Sequence, residues 1–393
     1  MYSKSQKGAK AQGSTMKTSS ETTVTRAIID LDAVAYNFRV IRKAVDRRVK
    51  ILAVVKSDAY GHGLTEVARV LEREGADILG VGDVAEGSTL RSAGLAKPIM
   101  VLGLIPESAI PTALDKELTL TIASLKSAQQ VAGVASAKGC VAKVHCIIDT
   151  GMGRIGFQPA TAPEEIPAIL QYSSIDVEGI STHFPRATAE RDPFTASQIK
   201  AFKNIIKRLG DNGVPFELTH AANSAAVINH PSAQFDMVRV GIMFYGVAPT
   251  KALQGKLDLR PAMRFETSVV FVKSVPEGTP LSYDHTYATP NATVIATIPA
   301  GYAHGVDFLL SNAGEVLVRG QRAPVVGRVC MDQTLVNVGH IAGVTVGDKV
   351  TLIGRDGKQS IAAEDVAERA HTIPYDVITR IGKMVPREYV GGQ

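Results

Sequence analysis

From residue 50 onward, short apolar runs alternate with stretches whose apolar positions recur every three or four residues. Runs at 51–55, 77–82, 99–103, 118–122, 143–148, 177–182, 216–219 and 237–242 predict strands. Segments at 64–74, 84–93, 107–115, 125–137, 163–171, 196–210 and 223–229 predict the helices between them. Eight β runs separated by so little helix predict an α/β fold, a closed (β/α)8 TIM-type barrel rather than an open doubly wound sheet. Upstream, Ala27 to Asp30 is apolar and strand-like. An amphipathic stretch from Asp32 to Val45 follows, with Val34, Phe38, Ile41 and Val45 on one face and Asp32 as the expected N-cap.

Past residue 260 the helical periodicity gives way to short β runs at 269–272, 293–296, 315–318, 324–327, 334–338 and 349–353. Turn signals such as Pro276-Glu277-Gly278 and Val346-Gly347-Asp348 interrupt them. The pattern divides the chain into an N-terminal tail over 1–24, a barrel domain over 25–260 and a C-terminal mostly-β domain over 261–393. The tail is rich in Ser, Thr and Lys and reads as a disordered extension.

Composition changes this picture little. Of 393 residues, 45% are hydrophobic and 21% charged, an ordinary globular balance. The net charge of +5 is spread thinly, and its densest run (Arg42-Lys43, Arg47-Arg48) lies on a predicted helix face, so no nucleic-acid partner is expected. Cys140, Cys146 and Cys330 are odd in number and lack metal-ligand spacing, which predicts reduced thiols and no metal. No run reaches the roughly 18 apolar residues of a membrane span, and the tail has no secretory apolar core. A cytoplasmic enzyme is the expectation.

Candidate chemistry collects where the predicted barrel strands end. Lys56 closes the apolar run Ile51-Leu52-Ala53-Val54-Val55 and opens a glycine-punctuated turn through Gly63. The fifth strand runs into Asp149-Thr150-Gly151-Met152-Gly153-Arg154, the sixth into Thr182-His183-Phe184, and the seventh into Ala222-Asn223-Ser224. The eighth carries Arg239-Val240-Gly241-Ile242. Singly, each is weak, because a rim lysine or a strand histidine is usually structural. Together they suit pyridoxal phosphate, which needs a lysine amine, a phosphate cradle and a group facing its ring nitrogen. An arginine in that last place stays protonated and cannot surrender its proton, so it weakens the electron sink and favours moving one proton over elimination or transamination.

The run Ala53-Val54-Val55-Lys56-Ser57-Asp58-Ala59-Tyr60-Gly61-His62-Gly63 resembles the cofactor-attachment motif of the alanine racemase family, PLP-dependent enzymes of fold type III. The resemblance continues through 149–156, 181–184, 222–224 and 238–246, then Ser282-Tyr283, 299–303, 327–333 and Ile373-Pro374-Tyr375, spanning about 27–390. It implies interconversion of L- and D-alanine by a two-base mechanism, through an aldimine of pyridoxal 5'-phosphate on Lys56, supplying D-alanine for peptidoglycan. Lys56 is then the base for the D-isomer and Tyr283 the base for the L-isomer, reached across a head-to-tail homodimer with shared active sites. By the same likeness, His183 and Arg239 support catalysis. Tyr60, Ser224, Arg239, Gly241, Ile242 and Tyr375 bind the cofactor, Arg154 and Met331 bind the substrate carboxylate, and Tyr302 and Asp332 lie at the entrance. Tyr60, Tyr302 and Tyr375 also have a bland reading as packing residues.

This chain departs from the family pattern at several positions. Ile147 stands where many members carry a lysine, Asp284 and His304 replace a common glycine and aspartate, and Pro185-Arg186 follows His183-Phe184. His62, His220, His285 and His304 receive no role. The altered loops keep a broader racemase, acting on serine or other amino acids, as the alternative. A barrel-plus-β decarboxylase and a non-catalytic cofactor carrier are the further readings to set against it.

Overall fold

A computed structural model describes residues 24–392. The tail expected over 1–24 lies, Val24 apart, outside the described residues. Eight parallel strands close a barrel: β2 (Lys50–Val54), β3 (Ile78–Val81), β4 (Ile99–Val101), β5 (Leu118–Ile122), β6 (Ala142–Ile147), β7 (Ile175–Ser181), β8 (Leu218–His220) and β9 (Met237–Val240). Closure is made by β2 against β9, with Lys50 opposite Met237 and Ala53 opposite Val240. All residues of β3, β5 and β9 are buried. Parallel strands covered on both faces are apolar without alternation, as β3 and β4 are, whereas β5 carries threonines and β9 carries Arg239 between apolar residues.

The intervening helices bury one face each. Helix Leu64–Glu74 buries Leu64, Val67, Ala68, Val70 and Leu71. Helix Leu125–Lys138 starts at a Ser124–Ser127 capping box and stops at Gly139, whose φ of 66° is left-handed. The first helix, Leu31–Ala44, departs from expectation at its start: Asp30, not Asp32, is the N-cap, its carboxylate accepting from the Ala33 N–H at 2.9 Å. Strand pairing takes the chain to Asp30, so the first side chain free to cap is two residues earlier.

The C-terminal part is mostly β. β10 (Met263–Ser268), β11 (Phe271–Val275), β12 (Pro280–Leu281), β13 (Tyr287–Ala288), β14 (Thr293–Ile298), β15 (Glu315–Val318), β16 (Gln321–Pro324), β17 (Thr334–Asn337), β18 (Lys349–Asp356), β19 (Gln359–Ile361) and β20 (Arg387–Val390) follow in order. The largest sheet runs β16-β15-β18-β10, then takes in β1 (Arg26–Asp30) and ends on β20. β1 precedes the barrel in sequence yet is sandwiched between β10, antiparallel, and β20, parallel. Two short helices, Ala363–Arg369 and Pro374–Arg380, lie within this mostly-β part. The second packs beside the turn that follows β2, where the carbonyl of Ile378 stands 2.5 Å from the place a Cβ on Gly61 would occupy.

Candidate active site

The site begins at an unusual turn. After β2 the backbone passes through four consecutive non-glycine residues, Ser57 to Tyr60, with φ between 52° and 55°. Each such residue costs roughly 1–3 kcal/mol, so the turn persists only because its surroundings over-determine it. The Ala59 N–H donates to Val55 O at 2.8 Å, the Gly63 N–H donates to Asp58 O at 2.9 Å, and the Leu64 N–H donates to the Asp58 carboxylate at 3.0 Å. The left-handed course swings Tyr60 inward, where its ring lies 5.0 Å from that of Tyr245 and 6.0 Å from that of Tyr375. Lys56, at the first position of the turn, is left at the C-terminal mouth of the barrel.

Across the mouth stands Gly241. A Cβ there would lie 2.6 Å from the Tyr60 hydroxyl, so only glycine lets that phenol reach the bare backbone after β9. The Gly241 N–H donates to Ser224 Oγ at 3.1 Å. Ser224 opens helix Ser224–Asn229, which Asn223 caps by accepting from the Ala226 N–H. Hydroxyls of Tyr60 and Ser224 thus gather beside exposed backbone at one end of the cavity.

Arg239 is buried at the same mouth. Its Nη1 donates to His220 Nδ1 at 2.6 Å, and its Nη2 donates to Thr182 O, His183 Nδ1 and Ala221 O at 2.7, 3.2 and 3.1 Å. Those bonds leave Nε–H unpaired among the described residues. Burial, and then the charge of Arg154, brings Arg239 down to about 10, so it is still cationic at neutral pH. Because arginine only donates, both imidazoles must present Nδ1 as an acceptor and carry their proton on Nε2. Burial first, then Arg239, Arg154 and Lys56, holds His183 down at about 3, so its ring is neutral. Lys56 is also pushed below the usual lysine value, chiefly by burial and secondly by Arg154, with Glu86 opposing. An amine that sheds its proton more easily is a better nucleophile and a better base.

A cavity of about 890 Å³ joins these groups, lined by Lys56, Tyr60, Arg154, His183, Ser224, Arg239, Gly241 and Tyr375 together with Ile147 and His220. Ile242 is fully buried behind Gly241 and is absent from the lining. The remaining sequence candidates lie elsewhere. Tyr283, Tyr302, Met331 and Asp332 do not line this cavity. They share a surface patch of the β domain: the Tyr302 N–H donates to Cys330 O at 3.0 Å, the Ala303 N–H to Met331 O at 3.0 Å, and the Ser282 hydroxyl to Arg328 O at 2.6 Å. Tyr283 is 68% exposed and Met331 55%, high values for side chains of this size. One chain therefore brings Lys56 together with the cofactor candidates and leaves Tyr283 facing outward.

Sequence reasoning passed over His220, which is both a cavity residue and an arginine partner, and His145 and Glu178 behind it. The signal was available in part, since His145 interrupts the apolar residues of β6 after Lys143.

A barrel with a lysine at the mouth of its first strand, a hydroxyl-and-glycine cradle opposite and a cationic arginine between them is the architecture of a PLP-type barrel enzyme. The families described as alanine racemase, N-terminal domain, and alanine racemase, C-terminal domain, match residues 29–249 and 262–389. Alanine racemase 2 of Caldanaerobacter subterraneus is 44% identical over 93% of this chain and 95% of its own length. Alanine racemase of Desulforamulus reducens is 45% identical over 93% and 98%. Among solved structures, alanine racemase from Streptomyces lavendulae superposes with a TM-score of 0.91 at 38% identity, covering 94% of this chain and 98% of the other. Alanine racemase from Bartonella henselae with covalently bound pyridoxal phosphate gives 0.85 at 26% identity, covering 94% and 100%. The chain belongs to the alanine racemase family.

Proposed function

We propose that this protein interconverts L- and D-alanine with pyridoxal phosphate held at the mouth of the barrel. The observation that carries the reading is the convergence of Lys56, Arg239, Ser224, Gly241 and Tyr60 on one cavity. The residues present fit the cofactor: Nε–H of Arg239 is a spare donor, Gly241 opens room that any Cβ would fill, and Lys56 is biased toward its neutral form. Tyr60, Ser224, Gly241 with Ile242 behind it, and Tyr375 would hold the phosphate. Arg239 would face the ring nitrogen. When bound, pyridoxal phosphate supplies an electron sink that makes the substrate Cα–H acidic.

The chain's own groups then move the proton. Lys56 Nζ, depressed by burial, takes or returns it on one face of Cα. Racemisation requires a second base on the other face, and Tyr283 Oη is that base. Because Tyr283 stands outside the cavity of its own chain, it acts in the cavity of a second copy, and the working unit is a head-to-tail homodimer. His183, neutral and held by Arg239, offers its Nε2–H to stabilise the Tyr283 phenolate. Arg154 and the backbone N–H of Met331 receive the substrate carboxylate, and Tyr302 and Asp332 flank the entrance. The boundary near residue 260 separates the two units that supply these halves.

Likeness to alanine racemases along nearly the whole chain supports alanine over the broader serine-type reading. Among the described residues no helix is long and apolar enough to cross a membrane. That accords with action in the cytoplasm, where D-alanine would feed peptidoglycan. A chiral assay of purified protein with added pyridoxal phosphate tests the reading. Conversion of either alanine enantiomer toward an equal mixture supports it, and preferential turnover of serine, or none of alanine, overturns it.

A further inference from the structure

The acceptor that Arg239 finds in His220 is the end of a longer chain of contacts. His220 Nε2 lies 2.8 Å from His145 Nδ1. His145 Nε2 lies 3.0 Å from one oxygen of Glu178, and Lys143 Nζ donates to the other at 2.7 Å. His145 and His220 are 0% and 1% exposed. The line runs inside the barrel from the solvent-facing Lys143, near the start of β6, to the cavity at the strands' C-terminal ends.

Its direction is fixed by its two ends. A guanidinium can only donate and an ionised carboxylate can only accept. His220 must therefore accept at Nδ1 and donate from Nε2, and His145 must do the same. Reversing either ring would set an N–H against an arginine N–H or against the preceding ring's donor. Glu178 is held ionised, down at about 2, by the bond to His145 foremost and then by Lys143, with burial opposing. Burial, followed by the charge of Arg239, keeps His220 neutral by pushing it well below the usual imidazole value.

The strands are shaped to admit this line. The β6–β7 register shifts between Val144 and His145. Gly179, beside Glu178 on β7, leaves room for the His145 ring: a Cβ there would lie 2.5 Å from Nδ1 and 2.6 Å from Cε1. A bulge, a glycine and a buried histidine pair together make a built arrangement rather than a chance contact.

We propose that Glu178 and His145 are positioning residues that act through His220 to hold the Arg239 guanidinium in a single orientation at the cavity. Arg239 has no carboxylate among the partners of its terminal nitrogens, which are two imidazoles and two carbonyls. Glu178, itself paired with Lys143, is the acceptor at the far end, and the two rings transmit its demand for a donor. The inference rests on the proposed role of Arg239 opposite the cofactor's ring nitrogen. The line itself does not depend on that role.

Two readouts separate the two ideas. In the full chain labelled with nitrogen-15 histidine, before and after addition of pyridoxal phosphate, both His145 and His220 should appear as neutral Nε2–H tautomers at pH 7. This signature requires no catalysis, so it stands even if alanine is not the substrate. Kinetics of the cofactor-loaded enzyme give the second readout. His145→Leu keeps bulk but breaks the line, and kcat for alanine should fall by about 10- to 100-fold with KM nearly unchanged. His145→Gln can accept from His220 with its amide oxygen and donate to Glu178 with its amide nitrogen, so it should recover most of that loss. Glu178→Gln, which preserves shape but removes the charge, should leave the His220 tautomer fixed by Arg239 and lower kcat with KM nearly unchanged, and it serves if His145→Leu does not fold. An Nδ1–H proton on His220 in the wild type, a Gln variant at position 145 no better than Leu, or a wild-type kcat in Glu178→Gln would overturn the proposal.

Discussion

Arg387 donates two hydrogen bonds, from Nε and Nη2 and both 3.0 Å long, to the carbonyl oxygen of Gly61. Gly61 closes the left-handed turn that begins at Lys56, and Arg387 begins β20. The guanidinium also donates to the carbonyls of Ile381, Gly382 and Val385. One nearly buried arginine thus ties the β domain to the strained turn that carries Lys56. Removing it leaves several carbonyls without partners, at a cost of about 3 kcal/mol. Arg387→Ala should lower Tm in calorimetry and weaken cofactor binding in a fluorescence titration, although Arg387 does not line the main cavity.

Lys56 is depressed by burial, with the charge of Arg154 as the second cause. A base whose folded value lies below its unfolded value costs stability at low pH, because the unfolded chain then binds a proton that the folded one resists. The cost is absent above the ordinary lysine value of 10.5 and grows as pH falls below it. Lys56→Met in the cofactor-free protein should therefore raise Tm at pH 7, and the gain should shrink as pH rises toward 10.5. A Tm difference independent of pH would show that the lysine is not depressed.

Tyr283 is exposed, and its side chain makes no hydrogen bond among the described residues. Tyr283→Phe should leave Tm unchanged while lowering racemisation by about 10²- to 10⁴-fold, the usual worth of a positioned acid–base group. In heavy water, D-alanine should still exchange its Cα hydrogen through Lys56, and exchange from L-alanine should collapse. Mass spectrometry of each enantiomer reads this asymmetry, and equal loss from both would exclude two separate bases.

Arg154 lines the cavity as a cation. Charge-assisted bonds to a carboxylate contribute about 1.5–3 kcal/mol each. Arg154→Met should lower kcat/KM for alanine by about 10- to 100-fold, most of it in KM. A change confined to kcat would place the arginine in the chemistry instead of in substrate binding.

Much of this molecule is legible in the order of its residues, for a physical reason. Barrel strands buried on both faces are mostly apolar, so short apolar runs mark all eight, and Lys56 stands out because it ends one that is apolar from Ile51 to Val55. β10 does not: Met-Arg-Phe-Glu-Thr-Ser alternates and follows a turn-rich linker, and its partners β1 and β18 lie far away in sequence. The left-handed turn from Ser57 to Tyr60 is only partly local: Val55 and Asp58 hold it from within, but Arg387, which binds the Gly61 carbonyl, comes from the opposite end of the chain. The Glu178–His145–His220–Arg239 line escapes for a related cause. It joins four strands, and no spacing within one strand encodes it. Tyr283 is the converse case, since its motif was readable while the fold of the single chain leaves it outside the cavity that holds Lys56.

The central claim is that Lys56 of one subunit and Tyr283 of another complete the same site. The direct measurement mixes two inactive variants, Lys56→Ala and Tyr283→Phe, by co-expression or joint refolding, and follows D-alanine formation by chiral chromatography. In a two-fold dimer with shared sites, half of the random assemblies are mixed, and each of these has one intact site and one doubly altered site. Activity should therefore return to about a quarter of the wild-type value. If the mixture stays as inactive as its parents while mixed dimers are shown to form, the two residues do not meet across subunits.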